Sequence, residues 1–324
     1  MYRLFSRNDL MSYILLVVLM VLLRLRLLLS PETYVLADTP DLFSPFWTDL
    51  FGHVAAGTTL SGILAIIVMT LTALIVANLV NRFRLAPQPS ALGGLFFVIL
   101  CGGPRLTIGF QPIMFFTLSL VWALDRFFSA QGKDRPYLSV AWGVAIATFG
   151  AMLWTKGLWL LLFLPVALAL LRLARPRILL SGLVGFITVV IIMTSVALFH
   201  SNPLEVADAF VSSLWATMPY WRLGPVSLTY FLVTLGICLM AVMNVQRHLV
   251  ETNINVSRRL RVAEWLLFIT IFLQLLPTYS LEVQMLTAVG ASLLLPRFVA
   301  GLSTRGAEIV TITLAALAFW IIYM

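Results

Sequence analysis

Long runs of apolar residues recur along almost the whole chain, and they constrain the fold more than any other feature. A helix needs about 20 predominantly apolar residues to cross a bilayer, with about 17 as a lower limit. The breaks between the runs are too short to hold a separate soluble domain. We therefore expect one all-α integral membrane domain over residues 1–324, a polytopic transmembrane helix bundle of about eleven spans. The eleven runs are Leu10–Leu29, His53–Asn81, Ala91–Gly103, Gln111–Phe128, Tyr137–Leu153, Gly157–Leu171, Ile178–Phe199, Val226–Asn244, Ala263–Leu276, Glu282–Leu295 and Ala307–Met324.

The composition excludes a soluble protein. The chain is 61% hydrophobic and 10% charged, whereas a soluble domain is roughly 45–50% apolar and about 25% charged. Its net charge of +8 is explained by basic cytoplasmic loops, so nucleic acid is not an expected partner. Cys101 and Cys238 both lie inside apolar runs, where we expect small buried side chains and no disulfide.

The basic residues predict the orientation. Short cytoplasmic loops collect Lys and Arg, and a cytoplasmic N-terminus with an external C-terminus places most of the 21 basic residues in such loops. The expected location is the bacterial inner (cytoplasmic) membrane. Runs 91–103 and 282–295 are short, and nine spans remain if neither crosses. Run 91–103 is also a candidate half-span or re-entrant element.

The first outer loop, Ser30–Gly52, is rich in acids and contains no Lys or Arg. Its acids are explained equally well by two hypotheses. Acidic residues collect on the side that basic residues avoid, or the loop contains a catalytic centre. In the second case Asp38 or Asp41 is the candidate general base or ligand of a divalent metal, the one cofactor that the sequence suggests.

Two arginines, Arg24 and Arg26, precede this loop within the outer part of the first run. Both are able to snorkel to the interface. Because residues two apart point to different faces of a helix, we expect at least one of them to face protein or a cavity. There it is either a structural counter-ion or a ligand for a lipid phosphate.

The second outer loop, His200–Pro225, has the pattern of an interfacial helix. Asn202 is a suitable N-cap, Pro203 suits the first helical position, and apolar residues recur at three- and four-residue steps. Arg222 is a candidate contact for lipid phosphate, with simple interfacial anchoring as the commoner role. The expected interfacial anchors are Trp215, Tyr220 and Trp221.

Other patterns have structural explanations. We expect Glu264 to reach water at the end of a span, and Asp125 and Arg126 to form a pair at another. The small residues Gly143, Ala147 and Ala151 follow a spacing typical of helix packing. The sequence contains no nucleotide-binding or hydrolase motif.

The segment from Ala77 to Glu205 resembles an uncharacterised family of bacterial multi-pass inner-membrane proteins, a domain of unknown function. The resemblance rests on NLVNRFRLAPQPSALGGLFFVIL, LSLVWALDRFF and the stretch from WGVAIATFGAMLW to LLSGLVGF. Arg126 keeps part of that family's pattern and Asp125 departs from it. The family implies no activity.

A second resemblance is architectural. GT-C class polyprenol-dependent glycosyltransferases also begin on the cytoplasmic side, place acids in the first outer loop and insert a partly helical loop after the seventh span. The 23 residues of Ser30–Gly52 are too few for the longer juxtamembrane helices of that class, which indicates a degenerate relative.

These observations favour a protein of envelope biogenesis that binds or acts on a polyprenyl-phosphate-linked substrate at the outer leaflet. Its partners would be the lipid bilayer and other envelope membrane proteins. The alternatives are a non-enzymatic subunit or scaffold of an envelope or secretion complex, and then a transporter. Whether the protein is an enzyme at all stays open at this stage.

Overall fold

The computed structural model describes residues 1–29, 59–102, 110–154, 156–200, 204, 207–208, 211–212, 225–249, 252–274 and 283–323. The elements in these ranges are helices, as expected for an all-α protein. They are α1 Tyr2–Phe5, α2 Leu10–Leu29, α3 Thr59–Arg82, α4 Leu92–Gly102, α5 Pro112–Ala130, α6 Tyr137–Leu153, α7 Gly157–Leu161, α8 Phe163–Leu170, α9 Pro176–His200, α10 Pro225–His248, α11 Ile254–Gln274, α12 Gln284–Ala300 and α13 Thr304–Tyr323.

Five of these helices are long and apolar enough to cross a membrane. They are Leu60–Arg82, Pro112–Ala130, Pro176–Phe199, Leu228–His248 and Thr304–Ile321. Five shorter apolar segments accompany them, namely Leu10–Leu25, Leu92–Cys101, Tyr137–Leu153, Gly157–Leu170 and Gln284–Ala300. Each of the eleven apolar runs in the sequence overlaps a helix or, in one case, a pair of helices.

The run Gly157–Leu171 is divided into α7 and α8, which meet at Leu162. Pro165 lies in the first turn of α8 and has no N–H to bond to the carbonyl of Leu161. Its ring also crowds that carbonyl. The proline therefore separates two short helices where the apolar pattern alone suggests one.

The two short helices α4 and α12 lie at the centre of the bundle. Side chains from Ala91 to Cys101 and from Gln284 to Pro296 are buried on every face. α4 packs against α2, α3, α12 and α13. A helix that is apolar all round suits a position without contact to water, and the burial of α4 on every face is consistent with the absence of a polar stripe in run 91–103.

The basic ends of many helices meet at one end of the bundle, which we call the basic end. The N–H of Ala91 donates to the carbonyl of Phe5 at 3.0 Å, which ties the start of α4 to the N-terminus. The guanidinium of Arg259 in α11 donates to the carbonyls of Phe83 and Phe128, both at 3.4 Å, and covers the ring of Phe83. These contacts join the ends of α3 and α5 to the start of α11.

The other end of the bundle, which we call the opposite end, is marked by Ser61 and Phe110. The N–H of Phe110 donates to the Ser61 hydroxyl at 2.8 Å. This bond joins the first turn of α3 to Phe110, two residues before the start of α5. α3 and α5 therefore run in the same direction, from this end to the basic end.

Two polar expectations from the sequence are wrong. Asp125 pairs with Arg82 of α3 at 3.0 Å, and not with Arg126. Neighbouring residues point to different faces of a helix, whereas α3 and α5 bring Arg82 and Asp125 together. Glu264 does not reach water, because it is 3% exposed and accepts a hydrogen bond from Gln246 at 3.1 Å.

Two helices, α3 and α8, end with an arginine in the left-handed backbone region. Arg84 has φ 55° and Arg172 has φ 58°. In each case the next N–H donates to a carbonyl five residues earlier, at 3.0 and 2.8 Å. This is the Schellman ending, in which glycine is the usual occupant of the left-handed position. Both arginines therefore occupy positions where a side chain is unfavourable.

Candidate functional site

The most distinctive polar residue of the described interior is Arg24, on the last third of α2. It is 3% exposed. Leu16, Met20 and Arg24 follow one another at four-residue steps and form a buried stripe along α2. The opposite face of α2, including Val18 and Leu22, is exposed. Helical periodicity therefore directs the guanidinium into the bundle and away from lipid. Of the two alternatives for Arg24, the interior position is the one that forms.

Arg24 lies beside the end of α4, close enough to Cys101 for an electrostatic interaction with its thiol. α4 ends at Gly102, and a helix C-terminus carries about half a negative charge from its last carbonyl groups. The end of α4 therefore compensates part of the charge of Arg24.

Tyr230 of α10 closes the same region from the other side. It is 2% exposed. Its hydroxyl donates to the carbonyl of Leu100 at 3.1 Å and, at a longer distance of 3.4 Å, to the carbonyl of Ile99. The hydroxyl also lies near Cys101, and the side chains of Thr234 and Gln284 adjoin it. Four helices thus contribute polar groups around the end of α4. We call the set of Arg24, Cys101, Tyr230, Thr234 and Gln284 the interior polar cluster.

A second buried contact lies on neighbouring helices. The side-chain amide of Gln274 donates to the hydroxyl of Thr287 at 3.0 Å, and both residues are buried. Gln274 ends α11, and Thr287 lies one turn after Gln284 on α12. The contact between Gln274 and Thr287 therefore extends the polar part of the bundle along α12, beyond the interior polar cluster.

The other predicted site residues lie wholly or in part outside the described part of the protein. Arg26 lies on α2, and its side chain is outside the described part of the protein. Also outside it are Asp38, Asp41, Trp215, Tyr220, Trp221 and Arg222. Leu204, Asp208 and Val211 have helical backbone and exposed side chains. The interfacial helix in this loop otherwise remains a prediction.

Metal binding is not supported by the described residues. Across the ranges given above, no three His, Cys, Asp or Glu side chains lie close enough together to hold an ion. Both cysteines are buried and free, as expected from their apolar surroundings. A divalent metal held by Asp38 and Asp41 remains a sequence-based hypothesis.

Sequence reasoning missed Tyr230, Gln284 and the role of the end of α4. The pattern Cys-Gly-Gly-Pro at 101–104 marks a helix end, yet nothing in it indicates which side chains gather around that end. Chemically, the cluster combines one buried cation with hydroxyl and amide groups. Such a set can hold an anionic group and provide hydrogen bonds to its oxygens.

Comparison with known proteins gave no match to any protein-family model, curated protein or solved structure.

Proposed function

We propose that the chain is a multi-pass protein of the bacterial inner membrane with eleven spans, its basic end in the cytoplasm and its C-terminus outside. The contacts of Phe5 with Ala91 and of Arg259 with Phe83 and Phe128 support this orientation. They gather the basic turns at one end of the bundle, as the positive-inside rule requires. In this orientation Arg24 lies toward the outer leaflet.

We further propose that the protein binds a polyprenyl-phosphate-linked substrate of envelope glycan assembly at the opposite end of the bundle. The observation that supports this function is the burial of Arg24 beside the end of α4. A guanidinium at the centre of a spanning helix costs roughly 2.5–3.5 kcal/mol on insertion scales, and charged residues within spans mark substrate or ion pathways. The planar guanidinium is suited to bind phosphate oxygens through paired hydrogen bonds, and the hydroxyl and amide groups of the interior polar cluster lie in the same region.

In the enzymatic form of the proposal the protein is a GT-C-like, degenerate glycosyltransferase. Asp38 or Asp41 would act as general base or metal ligand. Arg24 would hold the carrier phosphate, with Arg26 and Arg222 as further candidates. The described cluster supports the binding step, whereas the chemical step depends on the two aspartates.

The binding step is tested with undecaprenyl phosphate as the probe. Its effect on the melting temperature of the full-length protein in detergent is compared with that of undecaprenol, which has the same tail and no phosphate. We expect stabilisation by the phosphate alone. Because a charge-assisted hydrogen bond contributes about 1.5–3 kcal/mol, Arg24→Gln should weaken this binding by about tenfold or more.

Arg24→Lys is the matched variant because it keeps the charge and loses the planar fork. It should retain part of the affinity for the phosphate probe. Melting without ligand separates folding from binding: a purely structural Arg24 would lower the melting temperature in the glutamine variant and leave the ligand-induced shift intact. Equal stabilisation by undecaprenol and undecaprenyl phosphate would contradict the proposal.

The chemical step is tested by complementation of a deletion strain. Losing a general base typically costs a factor of about 10²–10⁴, so Asp38→Asn or Asp41→Asn should abolish complementation while the protein still accumulates in the membrane. Glu32→Gln, next to Pro31 at the start of the loop, is the control and should complement.

Complementation by all three of these variants would exclude the catalytic role of the loop. The scaffold hypothesis would then lead, because single exposed charges at a docking surface contribute only about 0–1 kcal/mol each. Co-purification of envelope proteins from mildly solubilised membranes would be the next measurement.

A further inference from the structure

A groove between α8 and α9 is a feature of the described surface that the proposed function leaves unexplained. Its volume is about 670 Å³, and α7 and Val144 of α6 also contribute to its lining. Every lining residue is apolar or glycine, so water inside it would lack the two to four polar partners that ordered water needs. The lining includes Val144, Trp159, Leu168, Leu179, Gly182 and Phe186.

The groove opens on a surface that faces hydrocarbon in a membrane. α9 packs mainly against α6, and Leu180, Leu183 and Leu162 beside the opening are exposed. From Leu179 to Phe186 the wall formed by α9 is about 10 Å long, at 1.5 Å per residue. The shape and lining suit a hydrocarbon chain that lies along α9.

The end of the groove nearest the basic end is flanked by positive charge. The turn between α8 and α9 contains Arg172 and Arg175, and Arg177 follows in the first turn of α9. All three are exposed. Leu168 and Leu179 line the groove within a few residues of them, and residues 157–200 contain no Asp or Glu. A hydrocarbon chain in the groove would therefore have three arginines beside one of its ends.

The backbone adds a second observation. Arg172 has φ 58°, a conformation that favours glycine, and it fills the position where the Schellman ending normally has glycine. A charged side chain is present there despite the local backbone cost.

We propose that the groove between α8 and α9 binds one acyl chain of an anionic phospholipid, and that Arg172 and Arg175 contact its headgroup phosphate. The apolar lining favours binding of the acyl chain, and the arginines favour a headgroup with negative charge. The site lies at the basic end, away from the interior polar cluster, and does not depend on the polyprenyl phosphate proposal.

The first test uses native mass spectrometry of the full-length protein released from nanodiscs that contain equal amounts of phosphatidylglycerol and phosphatidylcholine with identical acyl chains. We expect preferential retention of phosphatidylglycerol. One surface arginine contributes about 1 kcal/mol to anionic lipid binding. Arg172→Gly should therefore reduce the preference about fivefold, and adding Arg175→Gln should reduce it further by a similar factor.

Arg172→Gly suits this test because glycine is the residue that the backbone prefers, so a loss of lipid does not arise from unfolding. Arg84→Gly is the matched control. It removes the same charge from the same type of helix ending on α3, and should leave the phosphatidylglycerol preference unchanged. Equal retention of the two lipids, or an equal effect of both variants, would overturn the proposal.

The second test locates the chain. A phosphatidylglycerol with a diazirine in one acyl chain should, on illumination, crosslink to residues 158–168 and 179–186. Crosslinks confined to other helices would contradict the assignment. Leu180→Cys tests the competing occupant, a second copy of the protein: efficient disulfide-linked dimers in native membranes would mean that protein, and not lipid, covers this surface.

Discussion

The ring of Phe127 lies against Gly143 where α5 and α6 cross, and a Cβ on Gly143 would be 2.6 Å from its nearest ring atom. Phe127 is fully buried, so the ring has no free space to move into. Ala147 and Ala151 are also fully buried on α6. The small-residue spacing in the sequence therefore marks a close helix crossing, as expected.

We expect Gly143→Ala to destabilise the protein by about 1–3 kcal/mol, the usual cost of overpacking a well-packed interior. Gly236→Ala on α10 is the control, because nothing lies within 4 Å of a Cβ at that position. There alanine removes the helix penalty of glycine, about 0.5–1 kcal/mol. Melting of the purified proteins in detergent should show shifts of opposite sign. Similar shifts for both variants would mean that the α5–α6 crossing is looser than described.

Tyr230→Phe tests the hydrogen bond at the end of α4. The change keeps the ring and removes the donor to the carbonyl of Leu100, which leaves a buried acceptor without this partner. The expected loss is about 1–3 kcal/mol in the free energy of unfolding. Tyr137→Phe should have little effect, because Tyr137 is 38% exposed. Denaturation of both variants in mixed micelles provides the comparison.

The pair of Arg82 and Asp125 should contribute little despite its distance of 3.0 Å. The side chain of Arg82 is 53% exposed, and exposed ion pairs contribute about 0–1 kcal/mol. A double-mutant cycle with Arg82→Gln and Asp125→Asn should give a coupling energy in this range. Replacing Arg126 instead of Arg82 should give no coupling with Asp125→Asn. Coupling to Arg126 would restore the pairing inferred from the sequence.

The positions of the helices follow from the sequence because apolar runs and basic turns repeat along it. Its polar contacts do not follow, since they depend on which helices become neighbours. Arg82 of α3 pairs with Asp125 of α5. Tyr230 donates a hydrogen bond to the carbonyl of Leu100, which lies 130 residues earlier in the chain. Arg24 is an intermediate case. Its spacing from Arg26 indicated that at least one of the two faces inward, and the stripe of Leu16 and Met20 shows that Arg24 does.

Replacing Arg84, at the end of α3, with glycine should stabilise the protein. Left-handed backbone costs a non-glycine residue about 1–2 kcal/mol, partly offset because glycine also increases the freedom of the unfolded chain. Arg84→Gly should therefore raise the free energy of unfolding by up to about 1 kcal/mol. Arg305→Gly, within the first turn of α13, should lower it by a similar amount. A loss of stability in Arg84→Gly would show that the arginine side chain makes a stabilising contact that outweighs the backbone cost.

The orientation of the bundle gives the last prediction. With the basic end in the cytoplasm and eleven crossings, a periplasm-active phosphatase fused after Met324 should be active. The same enzyme inserted between Gln131 and Arg135 should be inactive, because this turn joins α5 to α6 at the basic end. Matched fusions to a fluorescent protein that folds only in the cytoplasm should give the reverse pattern. If α4 and α12 both fail to cross, Met324 keeps its side because the number of crossings before it falls by two. The 131–135 turn then changes side because the number of crossings before it falls by one. A phosphatase inserted in the 131–135 turn therefore distinguishes the two span counts: activity there would mean that α4 does not cross, whereas no activity is expected when it does.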